Sequence, residues 1–191
     1  MVTVGIDEVG RGCWAGPLVA AAVILPSNFH LEDCPLELKD SKKLSGKQRN
    51  VAAVWLHQNA AALGIGWVWP AEIDAQGLSW AVGRAMELAL AEISAAYDEI
   101  IIDGNINYFA SNPRARAVVK ADDSVPCVSA ASIVAKVARD AYMADLDKKY
   151  AGYGFEKHVG YGTAAHIAAL ELLGVSDIHR RSYKPIRELL A

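Results

Sequence analysis

Val2-Thr3-Val4-Gly5-Ile6-Asp7-Glu8-Val9-Gly10-Arg11-Gly12 is the stretch whose reading decides the architecture. Val2, Val4 and Ile6 alternate with Thr3, Gly5 and Asp7, the period of a half-buried strand. The strand is expected to end at Asp7 and Glu8. Successive side chains of a regular strand point to opposite faces, so two adjacent acids share a target only where that geometry stops. Gly16-Pro17 then introduces Leu18-Val19-Ala20-Ala21-Ala22-Val23-Ile24-Leu25, a continuous apolar run suited to a buried strand. The short turn between the runs predicts an antiparallel hairpin. Further strands are expected over 63–69, ended by Pro70, over 99–105, and over 117–120.

Helices are expected between these strands. Ser45 is a candidate N-cap for a helix to about Ala62. Leu78, Val82, Ala85, Met86, Ala89, Ile93 and Ala96 form one face of a long helix. From Ser129, the positions Ala130, Ile133, Val134, Val137, Ala141 and Ala144 mark another, with Lys136, Arg139, Asp140 and Lys148 off its stripe. A glycine and tyrosine loop spans 152–162, a helix follows over 163–173, and a basic tail with a short helix closes the chain. Strands alternating with helices predict an α/β fold with a mixed sheet. No repeat or linker divides residues 1–191, so one domain with a C-terminal helical basic segment is expected.

Composition excludes several classes. At 191 residues and 53% hydrophobic, the chain supports a substantial core, and disorder is not expected. Charges interrupt every apolar run before membrane-span length, and no signal-peptide pattern opens the sequence, so a cytoplasmic protein without a membrane partner is expected. Cys13, Cys34 and Cys127 are far apart, which argues against a disulfide framework or a zinc ribbon. A net charge of −3 means that a polyanion binder must gather its cations locally. Two gatherings exist: Lys39, Lys42, Lys43, Lys47 and Arg49, and then His179, Arg180, Arg181, Lys184 and Arg187.

The chemistry lies in the acids. Asp7-Glu8, Asp103 and the pair Asp122-Asp123 each follow an apolar run. Singly, each reads equally well as a solvated residue at a strand end. Gathered at one edge of a sheet, they repel and raise one another's pKa unless a cation intervenes. No nearby lysine is an obvious permanent partner. Divalent metal is the simplest solution, and an all-oxygen set suits Mg²⁺ or Mn²⁺. Two such ions suit phosphodiester hydrolysis, activating a water and stabilising the leaving oxygen.

The same residues closely resemble the ribonuclease HII family. The resemblance rests on Asp7-Glu8-Val9-Gly10-Arg11-Gly12, Asp40-Ser41-Lys42-Lys43-Leu44, Ile102-Asp103-Gly104 and the run from Val128 to Asp140. It continues through Gly160-Tyr161-Gly162-Thr163, His166 and His179-Arg180-Arg181-Ser182, so it covers essentially the whole chain. It implies a ribonuclease H-like fold, a five-stranded mixed sheet flanked by helices. It also implies Mn²⁺- or Mg²⁺-dependent cleavage of RNA in RNA–DNA hybrids and of DNA duplexes with embedded ribonucleotides. The cut would lie 5′ of a single ribonucleotide and leave a 3′-hydroxyl and a 5′-phosphate, with roles in ribonucleotide excision repair and primer removal. The family's four acids would fall on Asp7, Glu8, Asp103 and Asp122, the last chosen over Asp123 by its spacing to Val128. Gly10, Arg11 and Gly12 would read the 2′-hydroxyl through their backbone, and Tyr161 would pack on the following sugar. Lys42, Lys43, Arg180 and Arg181 would hold phosphates, and His166 would orient a ligand or phosphate. A monomer is expected. Two other classes, a non-catalytic hybrid-binding module and a DNA junction resolvase, fit less well: all four acids are present, and a DNA junction has no 2′-hydroxyl to read.

Overall fold

The computed structural model describes residues 1–30, 32, 34 and 44–191. Strand β1 (Thr3–Val9) lies at the centre of a five-stranded sheet. β2 (Leu18–Ile24) pairs antiparallel with it, and β3 (Ala62–Val68) pairs antiparallel with β2. On the other side β4 (Glu99–Asp103) and β5 (Ala115–Val118) run parallel to β1, giving the order β3-β2-β1-β4-β5. The mixed sheet expected from the hairpin is present.

Helices cover both faces. α1 (Gly46–Asn59) begins at Ser45, whose hydroxyl accepts from the Gln48 backbone N–H while Gln48 accepts from the Ser45 N–H. This reciprocal cap satisfies two otherwise orphaned donors. α2 (Pro70–Gln76) and α3 (Leu78–Ala91) follow β3, and α4 (Ala121–Ser124) leads into the long α5 (Pro126–Lys149). α6 (Phe155–His158), α7 (Ala164–Leu173) and α8 (Lys184–Glu188) complete the chain.

One core layer joins Val4, Ile6, Leu18, Ala20, Ile100 and Ile102 to Val82, Ala85 and Met86 of α3. A second joins Ala21 and Val23 to Leu56 of α1 and Ile133 and Val134 of α5. Each such large side chain contributes about 1.5–3 kcal/mol on burial. Close approach is written into glycines. A Cβ at Gly5 would lie 2.2 Å from the Cys127 carbonyl carbon, and one at Gly66 would lie 2.0 Å from the Ala85 oxygen. Only the missing side chain lets α5 settle on β1 and α3 on β3.

The structure departs from the sequence reading at element boundaries. β1 does not stop at the acids, because β2 continues beside it with Asp7 opposite Ala21, Glu8 opposite Ala20 and Val9 opposite Val19. β5 ends at Val118, since Lys120 turns left-handed with φ 59°. Asp122 therefore stands on α4 rather than at a strand end. α5 starts at Pro126, a residue suited to the first helical turn, ahead of the amphipathic stripe. α3 stops at Ala91 rather than near residue 96. The turns of α2 and α6 were not expected at all. Among the described residues no helix is long and apolar enough to cross a membrane.

Candidate active site

The last paired rung between β1 and β4 joins Ile6 to Ile102. Each is followed by an acid, so Asp7 and Asp103 stand one rung further on, and alternation puts both on the face that α5 covers. Glu8 leaves β1 on the opposite face, yet it reaches the same cleft at the strand end. That cleft, of about 420 Å³, is lined by Asp7, Glu8, Val9, Gly10, Arg11, Gly12, Asp103, Ser132, Lys136 and Tyr161. A larger hollow of about 620 Å³ lies at the opposite end of β1. Its one acid, Glu99, is already bonded to the Thr3 hydroxyl at 2.9 Å and to Arg116 at 3.3 Å, so it offers no comparable cluster.

The carboxylates are held but not neutralised. Burial pushes the Asp7 carboxyl well above its usual value, and the charges of Glu8 and then Asp103 push it the same way. Bonds from the Ser132 side chain and the Glu8 N–H, the latter at 2.8 Å, oppose that shift. Glu8 is also raised by burial, despite an ion pair with Arg11 at 3.2 Å. Lys136, the other cation of the cleft, bonds Asp140 at 2.8 Å. Asp103 Oδ1 accepts from the N–H groups of Ala121 at 2.8 Å and Asp122 at 3.4 Å, which ties β4 to α4. Asp122 is buried beside Asp103 and is not among the residues lining the cleft, while its own carbonyl accepts from the Ser129 hydroxyl at 2.6 Å. Among the described residues, no three acidic, imidazole or thiol side chains already close around one point.

Gly10-Arg11-Gly12 and Tyr161 share this cleft with the acids. A Cβ on Gly12 would lie 3.7 Å from Tyr161 Cε1, so the ring stands beside the turn, 41% exposed. Burial, with Cys13 close by, holds its phenol neutral above the ordinary value.

Other expected contacts do not reach the cleft. His166 and Arg180 are fully buried, so neither meets a phosphate from solution. His166 Nδ1 faces the Tyr161 carbonyl at 2.9 Å, and Arg180 Nη1 donates to the Arg11 carbonyl at 3.1 Å. Arg181 is exposed and outside the cleft, its backbone N–H bonded to Asp74 at 2.8 Å. Lys42 and Lys43 lie outside the described residues. Conversely, Ser132 and Lys136 line the cleft without having been singled out as site residues. The signal for Lys136 was faint: four residues before Asp140, it reads as an ordinary surface helix pair.

The comparisons agree with this fold. The family model for ribonuclease HII matches residues 4–186. The ribonuclease HII of Dichelobacter nodosus is 45% identical over 186 residues, 97% of this chain and 96% of that protein. The crystal structure of the ribonuclease H2 from Pyrococcus horikoshii superposes with a TM-score of 0.83 at 27% identity, covering 99% of this chain and 97% of that one. The ribonuclease HII in the complex with PCNA from Archaeoglobus fulgidus gives 0.81 at 26% identity, with 96% of each chain covered. A mixed sheet whose acids meet a Gly-Arg-Gly turn in one cleft, matched over nearly its whole length, places this chain in the ribonuclease HII family, as a ribonuclease H that hydrolyses the RNA of RNA–DNA hybrids.

Proposed function

We propose that this ribonuclease H cuts DNA duplexes 5′ of an embedded ribonucleotide, including a single one, as well as RNA–DNA hybrids. The observation that carries the reading is the shared cleft: Asp7, Glu8 and Asp103 stand within one cavity with Gly10, Arg11, Gly12 and Tyr161. Chemistry and choice of substrate therefore sit side by side. Only the 2′-hydroxyl distinguishes RNA from DNA at one nucleotide, and backbone groups of a glycine turn approach it closely. The flat Tyr161 ring suits a following deoxyribose and disfavours an added hydroxyl, which favours an RNA-to-DNA junction.

A divalent cation fits the donors present. Asp7, Glu8 and Asp103 bring three carboxylates to the cleft against Arg11 and a lysine already committed to Asp140. Asp7 keeps its raised pKa regardless, so negative charge remains uncompensated there. Oxygen ligands of this kind suit Mn²⁺ or Mg²⁺; Asp7, Glu8 and Asp103 would hold it from the cleft wall, and Asp122, whose N–H bonds Asp103 Oδ1, would join them from beside it. Bound there, it would supply an activated water and charge stabilisation at the scissile phosphate. Arg11 balances Glu8, Ser132 and the Glu8 N–H orient Asp7, and Asp103 keeps α4 and Asp122 in place. Water attacks phosphorus and the bond to the 3′ oxygen breaks, leaving a 3′-hydroxyl and a 5′-phosphate. Residues 1–191 act as one monomeric cytoplasmic catalytic unit in this reading, serving ribonucleotide excision repair and primer removal.

The test is a DNA duplex carrying one ribonucleotide beside an all-DNA control, with Mn²⁺, Mg²⁺ or chelator. The expected result is one metal-dependent cut on the 5′ side of the ribonucleotide and none in the control. Cutting of the control would refute the reading of the glycine turn, and tight binding without any cut would refute the chemistry.

A further inference from the structure

Two residues of the basic tail, His179 and Arg180, are buried rather than open to phosphates. Loop 10–17, which carries the Gly-Arg-Gly turn, is fastened to residues 178–180 along its backbone. Gly16 N–H donates to the Ile178 carbonyl at 2.9 Å, and Arg180 N–H donates to the Trp14 carbonyl at 2.7 Å. The buried Arg180 guanidinium adds side-chain bonds. Nε donates to the Gly16 carbonyl at 3.0 Å, and Nη1 donates to the Arg11 carbonyl at 3.1 Å and the Tyr183 hydroxyl at 2.9 Å. Tyr183 donates to the same Arg11 carbonyl. Nη2 alone has no acceptor among the described residues. The middle peptide of the turn is thereby fixed from behind.

The neighbouring residue holds the other arm. His166 Nδ1 faces a carbonyl, which only accepts, so Nδ1 carries the proton and Nε2 a lone pair. His179 Nε2, 3.0 Å away, must then donate. His179 Nδ1 is left as the acceptor, and it receives the Ser176 N–H at 3.0 Å and faces the Ser176 hydroxyl at 2.8 Å. Every tautomer is determined, with both rings neutral, and burial accordingly lowers both imidazoles to about 4. A metal does not suit this cluster, because the network commits each lone pair to an N–H. His158 stacks on His166 at 4.5 Å, bonds the Tyr153 carbonyl through Nε2 and accepts the Gly160 N–H. Between them Val159 is left-handed with φ 44°, a strained state for a β-branched residue, and Arg139 Nη1 holds its carbonyl at 2.8 Å. Strain of this kind persists only where surrounding bonds impose it.

We propose that His179 and Arg180 are positioning residues for ribonucleotide recognition: adjacent in the chain, they fix the Tyr161 carbonyl through His166 and the Arg11 carbonyl directly, setting the spacing between ring and turn. This rests on the proposed role of Tyr161 and Gly10-Arg11-Gly12 as the ribonucleotide reader. Neither His179 nor Arg180 lines the acid cleft. Their loss widens or tilts the gap into which one ribose must fit, leaving the hydrolytic groups where they are.

The experiment measures kcat and KM on the single-ribonucleotide duplex and on a uniform RNA–DNA hybrid, and takes the ratio of the two efficiencies. His179→Phe keeps ring volume but removes the donor, and Arg180→Lys keeps charge but removes the planar fork. Each is expected to lower kcat on the single-ribonucleotide duplex by roughly 10- to 100-fold, with KM changed by less than about threefold. The ratio falls with it. His179→Gln, which keeps an N–H donor, is expected to recover the ratio. Equal losses on both substrates would overturn the proposal, because a purely structural role lowers both alike. In a Tyr161→Ala background, His179→Phe should lower the ratio no further, whereas additive losses would count against coupling through that loop. If Tyr161→Ala itself leaves the ratio at its wild-type value, the reader assignment fails. If Tyr161→Ala lowers it and neither tail variant does, only the present inference fails. Long-range ¹⁵N–¹H correlation spectra of the unmodified protein at neutral pH check the network without any substitution. Protons on His166 Nδ1 and His179 Nε2 are expected, and the opposite tautomer on either ring overturns it.

Discussion

The acid cluster and the tail clamp lie on either side of the Gly-Arg-Gly turn, and they solve opposite problems. In the cluster, Asp7 and Glu8 are buried beside like charge and their carboxyls are raised. In the clamp, Arg139 and Arg180 are fully buried, and among the described residues no carboxylate is bonded to them. Their forks are occupied by backbone carbonyls of residues 11, 15, 16, 17 and 159. One region is left in electrostatic tension; the other has nearly every donor matched. Tension suits groups that must attract a cation, and saturation suits groups that must not move. In the proposed mechanism, stability and activity are therefore placed in different residues.

Exchanging charge for neutrality in each region tests that division. Asp7→Asn removes a metal-seeking carboxylate and is expected to lower kcat by at least about 10³-fold, with duplex binding retained. Its thermal midpoint should nevertheless rise, by roughly 2–4 °C for each kcal/mol of repulsion relieved. Mn²⁺ should raise the midpoint of the wild type but not of this variant. A midpoint that falls would show that Asp7 is not under tension.

Arg139→Met is the converse. It keeps the length of the side chain but deprives the Ala15, Pro17 and Val159 carbonyls of their donors. A loss of about 3–5 kcal/mol is expected in denaturant titration. A loss under about 1 kcal/mol would mean that water replaces the guanidinium freely.

The pH dependence should separate the regions more finely. His166 and His179 bind protons less readily in the native protein, at about 4 against an ordinary 6.5. Their contribution is complete above about pH 6.5 and is lost as pH falls towards 4, on the order of 3 kcal/mol for each ring. The raised carboxyls of Asp7 and Glu8 act in the other sense, since protonating them relieves repulsion. Chemical denaturation between pH 7 and 4 should therefore show a shallower fall in the wild type than in Asp7→Asn. Parallel profiles would break the comparison.

Much of this was legible in the sequence because it is local. The alternation of 2–8, the apolar run after Gly16-Pro17 and the Ser45 cap each depend on a few neighbours, and the acids are marked by what precedes them. Asp7 and Asp103 converge because a parallel register sets Ile6 beside Ile102, and only the strand-end pattern hinted at that. Burial of Arg180 and His166 was not legible. Side-chain type says that a cation belongs in water, and only the carbonyls of a distant loop reverse this. Ser132 and Lys136 escaped for a related reason, since which face of α5 meets the cleft is decided by Gly5, on another element.

The bond from Arg180 to the Arg11 carbonyl spans 169 positions of the chain. The glycine turn is thus synthesised well before the residues that fasten it. A chain interrupted before residue 180 would carry the acids of the cleft yet lack the residues that fasten the turn beside them.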